Sequence, residues 1–327
     1  MADEAPPDFR LPRFEVARYR IELQAIHRLV LRSDRVGIVL RGAFGLAFRR
    51  LVCHDRDADC RTCLVRAACP YADVFAPSPP PGSTRLRLQA DLPRPFVLEP
   101  DPAAPDEIAP GESFAFDLTL VGSAARWLPY FVVAFRKLGE EGIGPGRGRY
   151  RLAAVDACAG ERRAEVYRHG SATMSSVTLA ERPGAEEPTG RCERLRIRFE
   201  TPTLLRAEGS VATVPEFGVL VKRLRDRVSA LHYFYCGAAW EADHRGLGRL
   251  AEEVRAAEVR TGWVSRVRRS SRTGQRHPLE GFVGEAVYEG RDLRPFLPLL
   301  RVGERVHVGK AATFGQGRFR VLDDDPS

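Results

Sequence analysis

Four cysteines fall within seventeen positions: Cys53, Cys60, Cys63 and Cys69, spaced C-x6-C-x2-C-x5-C in CHDRDADCRTCLVRAAC. Four thiolates so close in the chain can wrap one tetrahedral ion, and the C-x2-C pair supplies the tight chelate turn common in structural sites. Thiolates suit zinc or an iron–sulfur cluster, with zinc the preferred ion. With four cysteine ligands the ion is coordinatively full, and so structural. His54, next to Cys53, is an alternative ligand that could replace one cysteine. Cys158, Cys192 and Cys236 are isolated and read as core or surface thiols. A total of seven cysteines, with no export signal, argues against a disulfide framework.

Two glycine loops suggest a second chemistry. GRGRYRL from Gly146 aligns with GQGRFRV from Gly315, about half a chain apart. Glycine permits positive φ and lacks a Cβ, so another backbone can come close. Successive N–H groups in such a loop form a concavity for anions. Gly142, Gly144, Gly146 and Gly148 make the first loop, flanked by Arg147 and Arg149. Gly309, Gly315 and Gly317 make the second, with Gln316, Lys310 and Arg318. Each leads into a strand, so neither is a Rossmann fingerprint, and no G-K-[ST] closes a long glycine loop as in a Walker motif. A single such loop reads as a tight turn; two matched loops bearing cations point to phosphate contact. Arg266, Arg268, Arg269, Arg272 and Arg276 cluster in SRVRRSSRTGQR beside Trp263, a strand end and loop that could track a phosphate backbone.

The elements around these loops repeat. FEVARYRIELQAI alternates as a strand, and VGIVLRGAFGLAFRRLV has helical spacing with Leu40, Phe44, Phe48 and Leu51 on one face. TRLRLQADLPRPFVLEP and ESFAFDLTLVG read as strands; SAARWLPYFVVAFRKLGEEG reads as a helix with Ser123 as cap; GRYRLAAV closes the half. The second half runs ERLRIRFETPTLL (strand), PEFGVLVKRLRDRVSALHYFY (helix), GLGRLAEEVRAAEV (extra helix), GWVSRVRRSS and LEGFVGEAVYEG (strands), DLRPFLPLLRVGE (helix) and GRFRVL (strand). The order is that of the ferredoxin-like split βαβ, an antiparallel sheet with helices on one face. The expected fold is α+β: tandem ferredoxin-like, RRM-like domains with a cysteine knuckle inserted in the first. The domains are expected at 1–185, with the insertion at about 53–75, and at 186–327. Pro- and Gly-rich ERPGAEEPTGRCE is the linker, after a hairpin within 162–179.

The 327 residues, 44% hydrophobic, suit two medium domains better than one large one. Basic residues number 51 against 43 acidic, a net charge of +8, and nearly all are arginine. Arginine's planar fork matches phosphate oxygens, so a nucleic acid is a candidate partner. A GC-rich genome would inflate arginine as well. No run of about 18 apolar residues predicts a membrane helix. The start MADEAPPDFRLPRFE lacks the basic region and apolar core of a signal peptide, so a cytoplasmic protein is expected.

These stretches, in this order, resemble a known family. The stretches are LRGAFGLAFRRLVC, CPYADVFAP, RPFVLEP, LGEEGIGPGRGRYRL, FETPTLLR and, most specifically, LEGFVGEAVYEGRDLRPFLPLLRVGERVHVGKAATFGQGRFRV. The family is the CRISPR-associated RAMP-superfamily endoribonucleases, which process precursor CRISPR RNA in antiviral defence; the likeness is to the subgroup with a four-cysteine insertion. The resemblance implies tandem ferredoxin-like domains and RNA cleavage without a catalytic metal, leaving 2′,3′-cyclic phosphate and 5′-OH ends. It also implies CRISPR repeat RNA and other CRISPR effector subunits as partners.

By position after the first helix, the resemblance implies His54 as a catalytic residue. It adds His307 before the second glycine loop, with Lys310 as the cation for the phosphate charge. His307 also reads as a structural histidine bonding the loop backbone. His27 and His244 are weaker candidates; His169, His232 and His277 read as structural or exposed. Arg41 joins the loop and cluster arginines as an expected RNA contact. Where many relatives carry Arg-Tyr-Ser, this chain has RRSSR, so a stacking or catalytic tyrosine is missing. Two other readings stay open. One is a non-cleaving guide-RNA-binding subunit of a CRISPR effector complex. The other is a zinc-knuckle regulator on duplex DNA, which the lack of an evident helix-turn-helix weakens.

Overall fold

Polar and apolar residues alternate through VARYRIELQA, which forms strand β1 (Val16–Ala25) with Tyr19, Ile21 and Leu23 buried. The computed structural model describes residues 9–32, 34–79, 92–101, 103–207, 209–269 and 276–322. After β1 come helix α1 (Val36–Val52), β2 (Phe96–Pro100), β3 (Ser113–Val121), α2 (Leu128–Glu141), β4 (Tyr150–Ala159) and β5 (Arg162–Arg168). Their sheet runs β2-β3-β1-β4-β5, antiparallel throughout. Its first four strands have the order of a ferredoxin-like unit, and β5 adds an edge to β4 as a hairpin.

The helices lie on one face for a legible reason. In α1, Leu40, Phe44 and Phe48 recur every four residues and are fully buried. Phe44 stacks on Phe135 of α2 (ring centroids 4.5 Å) and meets Phe96 of β2 (6.4 Å); Phe135 meets Phe116 of β3 (5.2 Å). The opposite face of the sheet is charged. Arg20 lies directly across from Asp117 and pairs with it at 3.1 Å.

The second unit repeats the plan with β6 (Arg194–Thr203), α3 (Phe217–Leu231), α4 (His244–Glu252), β7 (Arg255–Arg269), β8 (Arg276–Glu289), α5 (Leu297–Val306) and β9 (Phe319–Leu322). Its sheet order, β7-β8-β6-β9, is again ferredoxin-like. Phe199 packs edge-on to Phe282 (4.9 Å), and Phe217 lies against Tyr288 (4.9 Å) and Phe296 (5.0 Å). The other face carries cross-strand pairs, Arg198–Glu285 at 2.7 Å and Arg194–Glu289 at 2.9 Å. Exposed pairs of this kind are worth about 0–1 kcal/mol each. They occupy arginines that composition alone would assign to a nucleic acid.

The two compact units are Glu15–Glu181, and Arg182–Ser327 together with Met1–Phe14. Residues 9–14, grouped by sequence order with the first domain, thus lie with the second. There the Trp240 indole N–H donates to the Arg10 carbonyl (2.9 Å), and Phe14 stacks on His232.

Three elements depart from the periodicity. Ser123 does not cap the second helix: Gly122–Trp127 is a 3₁₀ turn, and α2 starts at Leu128 with proline in its first turn, where a missing N–H costs nothing. The third helix stops at Leu231, and His232–Cys236 winds as a π-helix. The extra helix ends at Glu252; RAAEV belongs to β7, whose ladder with β8 outweighs the helical propensity of its alanines and glutamate. TRLRLQADLPRPFVLEP contributes β2 at its end, while its earlier residues 84–91 lie outside the described residues. Among the described residues no helix is long and apolar enough to cross a membrane.

Candidate functional site

The end of α1 positions the four-cysteine segment. Cys53 is its C-cap, with its N–H on the Arg49 carbonyl (2.9 Å). The chain turns through Cys60 and Cys63, and Cys69 opens the one-turn helix Pro70–Val74. Phe75 then anchors the loop in the core, stacked on Tyr71 (5.1 Å) and against Phe44 (5.5 Å). Cys53, Cys60, Cys63 and Cys69 line one small cavity together with His54. All four are unpaired thiols. Burial holds the Cys60 thiol above its ordinary value; Arg49 opposes this, and Cys53, Cys69 and Cys63 add to the rise.

Four thiols around one cavity are the donor set a thiophilic ion takes. Cys53 Sγ, however, donates to the Asp55 carbonyl (2.9 Å), and no three Cys, His, Asp or Glu side chains among the described residues lie within reach of one ion. The donor chemistry fits a metal, and closing around it requires Cys53 to give up that bond. His54, the first residue past the cap, is exposed at the cavity's edge.

The first glycine loop uses its bare backbone mainly on its own chain. A Cβ at Gly144 would stand 2.4 Å from the Val30 carbonyl oxygen, and one at Gly148 2.3 Å from that of Arg28. The close approach that glycine allows is thus taken by the segment after β1. That segment includes His27, which is exposed and donates its backbone N–H to Arg149 O (3.0 Å). At Gly146 the space is open. Arg147 bends back onto the Glu141 carbonyl at the end of α2 (3.1 Å). Arg149 is exposed. Arg41 does not reach outward: its guanidinium lies over the rings of Phe75 (4.7 Å) and Phe96 (5.7 Å).

The second loop is clamped from two sides. The Thr201 hydroxyl donates to Gly315 O (2.8 Å) and accepts from the Arg318 N–H (2.9 Å). Gly317 N–H donates to Pro202 O (3.1 Å), and Lys310 N–H to Leu204 O (3.2 Å). From beneath, His307 Nδ1 donates to Gln316 O (3.1 Å). His307 is fully buried, so it positions the loop and does not present its ring to a substrate. This corrects its expected catalytic contact; burial depends on α5 packing under the loop, which residue type does not reveal. Gly309 faces Leu204 O at 2.3 Å, and Gly317 faces Val308 O at 1.8 Å for an added Cβ. Arg318 is paired with Glu200 (2.5 Å), whereas the Lys310 side chain is exposed.

The arginine cluster cannot be placed in the same way. Arg272 lies outside the described residues, as do the side chains of Arg266, Arg268, Arg269 and Arg276. Sequence reasoning missed Thr201 altogether, although FETPTLLR carried it. Its signal was a threonine at a strand end, facing a loop whose carbonyls and amides need partners.

Known proteins share this architecture. The CRISPR-associated endoribonuclease Cas6 family model matches residues 197–319, and the N-terminal domain model AF_1859_N matches residues 12–179. A protein of Archaeoglobus fulgidus, described as an uncharacterized protein, is 24% identical over 291 residues, covering 88% of this chain and 91% of its own. A product complex of the Thermus thermophilus Cas6 superposes with TM-score 0.55 at 16% identity, covering 95% of this chain and 100% of that one. A partial Cas6-RT-Cas1–Cas2 complex superposes with TM-score 0.56 at 10% identity, over 96% of this chain and 47% of that one. At such identities the two structures share the tandem ferredoxin-like fold.

Proposed function

Because this chain belongs to the CRISPR-associated endoribonuclease Cas6 family, we propose that it binds CRISPR repeat RNA and cuts precursor CRISPR RNA without a catalytic metal. The observation that carries this reading is the clamped second glycine loop, inside the Cas6-matched segment, with the exposed Lys310 on it. In the reaction, the ribose 2′-OH gives up its proton and attacks the adjacent phosphorus. The P–O5′ bond breaks, and the leaving 5′ oxygen takes a proton. The products are a 2′,3′-cyclic phosphate and a 5′-OH. The nucleophile belongs to the substrate, so the protein supplies proton transfer and a cation for the crowded phosphate.

We assign proton transfer to His54, the exposed imidazole past α1, and phosphate contact to Lys310 and Arg149, which make no ion pair among the described residues. Arg41, Arg147 and Arg318 act through the elements they brace. His307 and Thr201 keep the loop in shape. Such RNA is made in the cytoplasm, where we place the protein. Other CRISPR proteins are fitting partners, in line with the complex of a Cas6-bearing protein with Cas2 named above.

Incubation of the purified chain with labelled repeat RNA in EDTA tests the reaction. Fragments ending in cyclic phosphate are the expected result. RNA that is retarded but intact would make the chain a non-cleaving guide-RNA-binding subunit.

We further propose that Cys53, Cys60, Cys63 and Cys69 hold a structural zinc ion, tying the end of α1 to the helix Pro70–Val74. Elemental analysis is expected to find about one zinc per chain. The double variant Cys60→Ser/Cys63→Ser should lose it and melt at a lower temperature. Iron and a brown colour would assign the thiols to an iron–sulfur cluster instead.

A further inference from the structure

One edge of the second sheet is left open. Strand β7 (Arg255–Arg269) ends the order β7-β8-β6-β9 and pairs only with β8. Among the described residues, the N–H and C=O groups along its outer edge bond to no other segment. A row of such groups is a template for one more strand. Proteins usually blunt an edge of this kind with charge or a bulge. Here the bulge sits at the start, between Ala256 and Glu258, and the ladder then runs unbroken to Arg269.

The face that β7 shares with the helices is open as well. Trp263 stands opposite Phe282 and Val259 opposite Ala286, so all four point to one side of the sheet. Phe282 and Ala286 are buried there, whereas Trp263 (43%), Val259 (41%) and Val267 (49%) are exposed. The whole row on that face reads Val259, Thr261, Trp263, Ser265, Val267. By residue type it is a palindrome about Trp263. Valines stand at both ends, small hydroxyl residues inside them and one indole at the centre.

We propose that β7 pairs antiparallel with β7 of a second copy of this chain, with the two-fold axis at Trp263. The inference does not depend on the RNA reading above. In this register Val259 meets the copy's Val267, Thr261 meets the copy's Ser265, and the two indoles meet across the axis. Each contact occurs twice, as an isologous interface requires. Pairs of these types, directly opposite, are the ones that stabilise an antiparallel ladder. Positions 259–267 span about 30 Å. The pairing joins the two four-stranded sheets into one and uses up the open edge of each copy, so association closes at two. On the other face Arg260 meets the copy's Arg266, and Glu258 meets the copy's Arg268. Arg260 already holds Glu258 at 2.9 Å, but positive charge remains in surplus, so salt should favour the pair by screening it. A nucleic acid is the poorer occupant. The edge offers backbone hydrogen bonds and an apolar row, with Arg260 on the opposite face.

Sedimentation equilibrium of the full chain, freed of nucleic acid by nuclease, tests the pairing. At micromolar concentration the protein should sediment at twice the chain mass, and the association should tighten as salt rises. Val259→Glu with Val267→Glu sets carboxylate against carboxylate and should weaken the dimer at least about a hundredfold. Val259→Glu with Val267→Lys sets each carboxylate against an ammonium and should keep most of the affinity. Both variants replace exposed residues, and an unchanged unfolding midpoint is the control for folding. Under oxidation Trp263→Cys should run as a covalent dimer, whereas Thr261→Cys, off the axis, and the unmodified chain should not. A monomer at every concentration would overturn the proposal. So would a dimer untouched by Val259→Glu with Val267→Glu, or a charge-paired variant that loses as much affinity as that one. Association that weakens with salt or requires RNA would also overturn it and give the strand to nucleic acid.

Discussion

Replacing His54 with alanine is expected to slow repeat-RNA cleavage by about a hundred- to ten-thousand-fold, the usual contribution of one positioned proton-transfer group. RNA affinity should change little, because one small exposed ring contributes little to holding a polyanion. The imidazole sits one residue past the α1 cap, exposed at the edge of the cysteine cavity. That location gives it a competing role as a metal ligand, and the same variant separates the two. If cleavage falls and the zinc content holds, His54 serves the reaction. If zinc and cleavage are lost together, His54 is a ligand and the proton-transfer group must be sought elsewhere. Wild-type cleavage in a zinc-replete His54→Ala protein would sink the assignment. His27, exposed beside the first glycine loop, is then the next imidazole to replace.

Phe44→Ala should destabilise the protein by about 3–5 kcal/mol in chemical denaturation, the cost of emptying a large aromatic site in a packed core. The Phe44 ring has five aromatic neighbours: Phe135 at 4.5 Å, Phe131 at 4.9 Å, Phe48 and Phe75 at 5.5 Å and Phe96 at 6.4 Å between centroids. They come from both helices, from β2 and from the residue that closes the knuckle. No single neighbour can swing in to fill the space, so most of the cavity should persist. The variant should also loosen the cysteine segment, since Phe75 loses one of its two aromatic partners in α1 and keeps only Phe48. A loss below about 1 kcal/mol would mean that the site collapses freely, which this packing argues against.

Both predictions draw on features that are unequally legible in the chain. Helix α1 spans the same residues in sequence and structure, Val36–Val52, because its apolar residues recur at one period and no β-branched run competes. The RAAEV segment was misread as helix because its residues favour helix locally, and only the β8 strand opposite makes it extended. His307 and Lys310 stand three residues apart before the same loop, yet one is fully buried and the other exposed. Spacing carries no information about that difference; it comes from α5 packing beneath the loop.

From its residues alone the chain determined two βαββαβ repeats, a four-thiol insertion and paired glycine loops, because period, residue type and the steric freedom of glycine are local properties. Only the tertiary structure decided what those loops do with their bare backbone. The carbonyls that come within reach of Gly144, Gly148, Gly309 and Gly317 belong to Val30, Arg28, Leu204 and Val308. Three of these four carbonyls come from segments remote in sequence. Which backbone fills the space left by a missing Cβ is set by how distant strands and helices pack, and that is a property of the folded chain.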